Sequence, residues 1–551
     1  MVYCGKASQG CQSCRTRRIK CDKKRPECSQ CIRVGKKCPG YRDQLSLMFR
    51  DESSKVIQKA HAQWGTPESP ADSSPESSSL SNQTSWVTTP GPSSSGQSQH
   101  STTGSPAAAV AIASRELVAS RIPRRVEPNL DQRGLQFYVE RYLLNHPDSP
   151  RTPNFMEQYF SNADAMQNAM IAVGLAGMSN LLGNKSMNLV ARSKYVTALK
   201  QTGQLIAGAS QNYMTVVKPL RSIVTLALFE VVQGKGSRLT AGSANTHING
   251  AVALLRSVLP VANAPNGGAR GVLQLMFSMF IPSQMTDIPL PPGFFECLDI
   301  CKQLLQDSIE SCAVDLAIAI SCLLPLLAAA DKMTYVDGRP TTDALIQQFL
   351  AVETMFDRVE RQLQEAYPFV EHKDDQPSPA VFRGKWHRYT ELWGARIWNH
   401  FRWGRLLLEE KIIMFTISCP RSSARYIPPS HKAKCYSIVE NTAEAVLIST
   451  PSHWHHPLLD DDAARKYEAP GQGGAGAAGL PTLLWHLKVA GCAPNIPLEF
   501  WDWAYDILQV VWKDMGMQHA LALAEVMEEH RRTLSTDTVN EAPTAADQTT
   551  T

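Results

Sequence analysis

The sequence predicts a small metal-organised module and a large all-α domain joined by a disordered linker, and three observations predict it. Six cysteines between Cys11 and Cys38 keep a metal-ligand cadence. Residues 65–106 are built mainly from Ser, Thr, Pro and Gly, at 30 of 42 positions. From about Leu130 to Leu534 apolar residues recur at helical spacing, and alternating strand-like runs are scarce. At 551 residues the chain is too long for one core and suggests about two to four units, and 43% hydrophobic residues are ample for a globular one.

Cys11, Cys14, Cys21, Cys28, Cys31 and Cys38 fall as C-x2-C-x6-C-x6-C-x2-C-x6-C, which is the unit C-x2-C-x6-C written twice with a shift of 17 residues. Two tetrahedral zinc ions need eight ligand positions, and six thiolates fill eight only if two of them bridge both metals. A two-zinc, six-thiolate cluster follows from that count. Two other arrangements compete with it. A disulfide framework suits small secreted chains, and MVYCGKASQG offers no apolar signal core. A single four-cysteine zinc site with two spare thiols leaves the internal repeat unexplained. The other eight cysteines (Cys4, Cys297, Cys301, Cys312, Cys322, Cys419, Cys435, Cys492) show no second cadence and read as reduced thiols.

The charge is as uneven as the cysteines. Residues 11–38 hold ten Lys and Arg against Asp22 and Glu27, a net of +8, while the whole chain is +4. Two zinc ions with six thiolates sum to about −2, so part of the excess neutralises the cluster. The remainder is the electrostatic footprint of a phosphate-binding surface, with double-stranded DNA as the partner.

This cadence resembles the fungal binuclear zinc-cluster transcription factors, matched at all six cysteines. The resemblance implies that Cys11 and Cys28 bridge, that Cys14 and Cys21 complete one zinc and that Cys31 and Cys38 complete the other. It implies a short helix after the second cysteine that enters the major groove, with Arg17 and Arg18 at base edges and CGG-type triplets as the target. Arginine donating bidentately to guanine is worth about 1–3 kcal/mol of discrimination. Arg15, Lys20, Lys23 and Lys24 suit phosphates, which position a module without reading sequence. Pro26 shapes the loop between the repeats.

The run PGYRDQLSLMFRDES extends the resemblance to about the first 60 residues and to a filamentous-fungal subgroup, many of whose members govern secondary-metabolite gene clusters. The implied protein is a nuclear RNA polymerase II transcription regulator with transcriptional co-regulators as further partners. Primary-metabolism or stress genes are the alternative targets. An enzyme localised by a basic zinc module is the competing class, and no G-x-S-x-G, H-E-x-x-H or Walker loop supports it.

These readings give four segments: a DNA-binding module with its extension at 1–62, a Ser/Pro-rich disordered linker at 63–129, an all-α regulatory domain at 130–535 and a disordered tail at 536–551. After the cluster, Leu45, Met48, Phe49, Val56 and Ile57 could line one amphipathic helix. The best coiled-coil frame there, Leu45, Phe49, Glu52, Val56 and Lys59, has charge at two of its five seam positions. Residues 1–62 are therefore expected to be monomeric, with any dimer made by the helical domain. The linker has no Lys or Arg from Ala60 to Ser114 and cannot bury enough apolar area to offset its ordering entropy.

Within the helical domain, Met166, Met170, Val173 and Leu181 share a face, as do Ile397, Phe401, Leu408 and Ile412, and Trp503, Ile507 and Val510. THINGAVALL at 246–255 and LLWHLKVAG at 483–491 resemble stretches of the regulatory domain of the same family. Residues 313–330 are apolar enough to suggest a membrane span, but Asp315 and Pro325 favour a core helix. GQGGAGAAG at 471–479 holds a formal G-x-G-x-x-G with no strand before it, and reads as a flexible loop with no cofactor. His453, His455 and His456 near Asp460, Asp461 and Asp462 read as a surface loop. ELWGARIWNHFRWGRLLLEEK at 391–411 reads as a packed aromatic face with a solvated basic one.

Overall fold

Two short helices stand in the cysteine module, α1 (Gln12–Thr16) and α2 (Ser29–Ile32), each beginning one residue after the first cysteine of a repeat. The computed structural model describes residues 11–17, 19–22, 28–35 and 38 and, with interruptions of which the longest is 144–163, residues 129–540. The amphipathic segment after the cluster, the coiled-coil frame, nearly all of the linker at 63–129 and the chain beyond 540 lie outside the described residues.

The helical domain starts with α3 (Leu130–Tyr138), which runs into a π-helical turn, Val139–Leu143. It packs on α4 (Asp164–Leu182), and α4 in turn packs on α5 (Lys185–Ala207) and α6 (Tyr213–Gln233). The α3–α4 approach depends on glycine, because a Cβ on Gly174 would lie 1.8 Å from the carbonyl oxygen of Gly134. Met166, Met170 and Val173 are buried in this layer, whereas Leu181 is 37% exposed and leaves the shared face. Residues 246–247 and 249–254 are helical, and His247 reaches the Tyr195 hydroxyl at 2.9 Å.

Next come α7 (Asn266–Thr286), α8 (Pro292–Leu305), α9 (Ser311–Lys332) and α10 (Pro340–Ala366). Helix α9 is the one described helix long and apolar enough to cross a membrane, with a mean hydropathy of 2.2 over its best window. It packs on α7, α8 and α10, and Leu316, Ile320 and Leu323 are buried, as a core helix requires. In α10 a proline opens the first turn and Asp343 follows within it, both favourable at a helix N-terminus. Its apolar stripe, Leu345, Phe349, Val352, Phe356, Val359 and Leu363, recurs every three or four residues and is buried.

The domain is not purely helical. An antiparallel hairpin, β1 (Phe369–Lys373) and β2 (Lys385–Tyr389), is paired from Phe369 with Tyr389 to Lys373 with Lys385. Only β2 carries buried residues at most positions, and β1 is largely exposed, so neither shows the strict alternation that announces a strand.

Helix α11 (Leu392–Ser418) follows, packing on α9 and α10 and on two later helices, α13 (Pro429–Ser449) and α14 (Ala475–Gly491), with the short α12 (Pro420–Ser423) between α11 and α13. Contact on so many sides overturns the expected solvated basic face. Arg402 and Arg405 are 3% and 2% exposed, as buried as Trp403 and Phe401 beside them. Arg402 is accommodated by aromatic faces, 5.2 Å from Phe369 and 5.4 Å from Trp398, and by donating to Tyr389 Oη at 2.7 Å and Asn399 Oδ1 at 2.9 Å.

The surface-loop reading of His453 and His456 is overturned as well, because both are buried and His453 Nε2 lies 2.8 Å from Asn399 Nδ2. His455 and the three aspartates lie outside the described residues. The glycine-rich run becomes helical at Ala475, so its second half is the first turn of α14 and not loop. α15 (Leu498–Met515) ends on Gly516, whose φ of 64° and missing Cβ let its backbone meet Gly177. The last helix, α16 (Gln518–Asn540), continues past the expected boundary at 535, since no Gly or Pro interrupts the chain before Pro543. One continuous apolar core joins α3 to α16.

Candidate metal centre

Each repeat builds the same local structure. The first cysteine stands just before its helix, and its sulfur accepts the backbone N–H three residues on, Cys14 N to Cys11 Sγ and Cys31 N to Cys28 Sγ, both at 3.4 Å. Cys28 thereby takes the N-cap role usually filled by Ser or Asp. Asp22 adds a second cap, accepting from Ser29 N with both carboxylate oxygens at 3.1 and 3.3 Å. The sequence marked Asp22 only as a charge, and its seven-residue reach to α2 is a contact that spacing does not signal.

These helices bring all six cysteines together as two overlapping tetrads, Cys11, Cys14, Cys21 and Cys28, and Cys11, Cys28, Cys31 and Cys38, with every sulfur of a tetrad within 4.8 Å of the others. Cys11 and Cys28 belong to both, as two bridging thiolates must. The separations Cys11–Cys28 and Cys11–Cys31, both 3.6 Å, and Cys14–Cys28, 3.7 Å, match the edge of about 3.8 Å that a regular ZnS4 tetrahedron has at Zn–S of ~2.3 Å. Described cysteines form no disulfide. Burial pushes the thiols of Cys11, Cys14 and Cys28 up, with neighbouring backbone and cysteine contacts as smaller influences, so only a cation turns this cluster into thiolates. The donor set fits two zinc ions, four sulfurs each, and leaves neither the single-site nor the disulfide arrangement standing.

The basic residues are less uniform in position than in sequence. Arg17 folds back on the cluster, with Nη2 3.9 Å from Cys31 Sγ and Nε donating to the Ser13 carbonyl at 3.3 Å. Lys20 is exposed, and Arg15 lies on α1. Arg18, Lys23 and Lys24 lie outside the described residues.

This arrangement defines a binuclear six-cysteine zinc cluster. Residues 9–47 match the Fungal Zn(2)-Cys(6) binuclear cluster domain, so the metal module is a domain of the fungal zinc-cluster kind. Among curated proteins it is similar to the aspercryptin biosynthesis cluster-specific transcription regulator atnN of Emericella nidulans, 51% identical over 37 residues that make up 7% of this chain and 6% of the relative. It is also similar to the white-opaque regulator 2 of Candida albicans, 53% identical over 38 residues, 7% of this chain and 8% of the relative. The matched stretches span less than a tenth of this chain and of either relative. No solved structure matches the chain.

Proposed function

We propose that this chain is a sequence-specific, DNA-binding regulator of RNA polymerase II transcription that acts in the nucleus, reads CGG-type triplets and controls a fungal secondary-metabolite gene cluster. One observation carries the reading: the two thiol tetrads sit on a segment of net charge +8 in a chain of only +4. A dianionic cluster does not need that much compensation, and the surplus suits the phosphate backbone. The atnN relative is named as cluster-specific for aspercryptin biosynthesis, which favours a biosynthetic gene cluster over primary-metabolism or stress genes as the target.

In this reading Arg15, Lys20, Lys23 and Lys24 contact phosphates. Arg18 is the principal base-reading side chain, and Arg17 shares its charge between the cluster and the groove. The helical domain regulates output, meets co-regulators and provides any dimer contact, while residues 1–62 alone bind one triplet as a monomer. The test is selection from random duplex DNA with the purified full chain, alongside Arg18→Ala. The wild type should enrich a G-rich triplet, and the variant should lose about 1–3 kcal/mol of preference at one position. Absence of any enriched sequence from the wild type would sink the reading.

A further inference from the structure

The helical domain contains a second, independent group of metal-type donors. Glu353 projects from α10, and His431 and Cys435 project from α13 at i and i+4, hence from one face of that helix. One donor atom from each of the three lies within 4.8 Å of the other two. Glu353 is 4% exposed and Cys435 is fully buried, while the His431 side chain keeps 24% of its surface and leaves a path from solvent.

The remaining chemistry of this site is unsatisfied. His431 Nε2 lies 3.1 Å from Glu353 Oε2 but makes no aligned hydrogen bond. Glu353 Oε1 has no hydrogen-bond partner. On α11, Glu409 is fully buried, with the Cys435 thiol within hydrogen-bond reach of its carboxylate and Arg405 Nε 2.8 Å from Oε1. Arg405 is the one guanidinium here and is shared among Glu409, Asp357 at 2.7 Å and Glu353 at 3.8 Å. Two buried carboxylates, Glu353 and Glu409, share one guanidinium with the partly exposed Asp357, which leaves negative charge undercompensated where charge is expensive to bury. A proton or a metal cation could compensate it, and a metal cation would also engage the His431 nitrogen and the Cys435 sulfur that converge there with Glu353.

We propose that Glu353, His431 and Cys435 form a third zinc site, in the helical domain, with the Glu409 carboxylate alongside as fourth ligand or as the group that orients Cys435. An imidazole, a thiolate and a carboxylate are the donors of zinc sites, and sulfur disfavours magnesium or calcium. Binding forms a Zn–S bond as the Cys435 S–H bond breaks, and that proton leaves to solvent. The ion ties α10 to α13, with α11 packed against both.

The experiment is metal analysis of the full chain after dialysis against a chelator of moderate affinity. The wild type should hold three zinc ions and Cys435→Ser two, whereas Cys28→Ser, which destroys the cluster, should keep one. The difference between wild type and Cys435→Ser reports this site whatever the cluster holds, so its failure and that of the binuclear cluster read out separately. Glu409→Gln should weaken the third ion by about 10- to 100-fold. Equal zinc in wild type and Cys435→Ser overturns the proposal. Should Cys435→Ser not fold, the decision rests on Cys28→Ser, and no zinc in that folded chain overturns it equally.

Discussion

Among the described residues of the metal module the buried ones are cysteines, and the apolar side chains Ile19, Ile32 and Val34 stand 41%, 60% and 49% exposed. In the helical domain the pattern reverses: Phe349, Phe356, Trp403 and Phe415 have no exposed surface, while the chain's charge lies mostly outside. One part has its interior made of sulfur and metal, and the other of apolar burial worth roughly 25 cal/mol per Å2. So small a module has too little core to fold on apolar area alone, and its folding energy is metal-binding energy. The two parts should therefore fail under different insults.

The largest expected effect follows from the shared cysteines. Cys11→Ser or Cys28→Ser should release both cluster zinc ions and unfold the module, abolishing DNA binding, because each sulfur belongs to both tetrads. Cys14→Ser or Cys38→Ser should leave one ion in a damaged cluster. In neither case should the melting of the helical domain move, which differential scanning calorimetry of the full chain can check. A bridging variant that kept one cluster zinc would break the two-tetrad reading.

Acid should act on the helical domain through its histidines. Burial lowers His387 to about 2, with Arg402 and Lys385 adding to it, and half-exposed Glu371 at 3.7 Å does not reverse this. Burial, then Arg396, lowers His400 to about 3, and burial alone lowers His519 to about 4. His453 and His486 are also held well below the ordinary range, by burial first and then by their neighbours, chiefly Arg396 for His453 and His400 for His486. Since the unfolded chain binds these protons and the folded one does not, the associated stability is complete above about pH 6.5 and is lost as pH falls toward the folded values. Each histidine removes up to about 1.4 kcal/mol per pH unit in that window. Circular dichroism should show loss of helix between about pH 6 and 4, and a domain equally stable at both would contradict the buried, neutral assignment.

A smaller effect tests backbone packing without touching charge or metal. Gly174→Ala would set a methyl against the Gly134 carbonyl, at a contact where backbone and not a flexible side chain must give way. It should cost about 1–3 kcal/mol or somewhat more and lower the thermal midpoint, with zinc content unchanged.

What could be read from the chain without its structure divides along the same line. Covalent spacing encodes the cysteine ligands, so Cys11 through Cys38 were fully legible, down to the count of metals. Helices α4 and α15 were legible because one apolar face repeats along them. Helix α11 was misread where it mattered. Periodicity assigns the non-aromatic face to solvent, but a helix surrounded by others buries that face too, and only the pairing of Arg402 with aromatics and Arg405 with carboxylates makes this tolerable. The hairpin lacks strict alternation, and the donor group joins Glu353 on one helix to His431 and Cys435 on another, so the sequence offers only the i, i+4 pair as a local signal.

The finest comparison lies within the metal module, between two of its cations. Arg17 rests its guanidinium on Cys31 Sγ and the Ser13 carbonyl, whereas Lys20 is exposed. A cation held against a thiolate offsets cluster charge directly, while an exposed ammonium is free to meet a phosphate and displace a counterion. Arg17→Ala should therefore speed zinc transfer to a competing chelator a few-fold and alter the salt slope of DNA binding little. Lys20→Ala should leave zinc transfer unchanged and lower that slope by about one unit. The two readouts come from one preparation each, chelator kinetics and binding titrations at three or more salt concentrations. If Lys20→Ala sped zinc loss while Arg17→Ala lowered the salt slope, the division of labour between them would be reversed, and the base-reading role of Arg17 would have to be argued from contact with DNA alone.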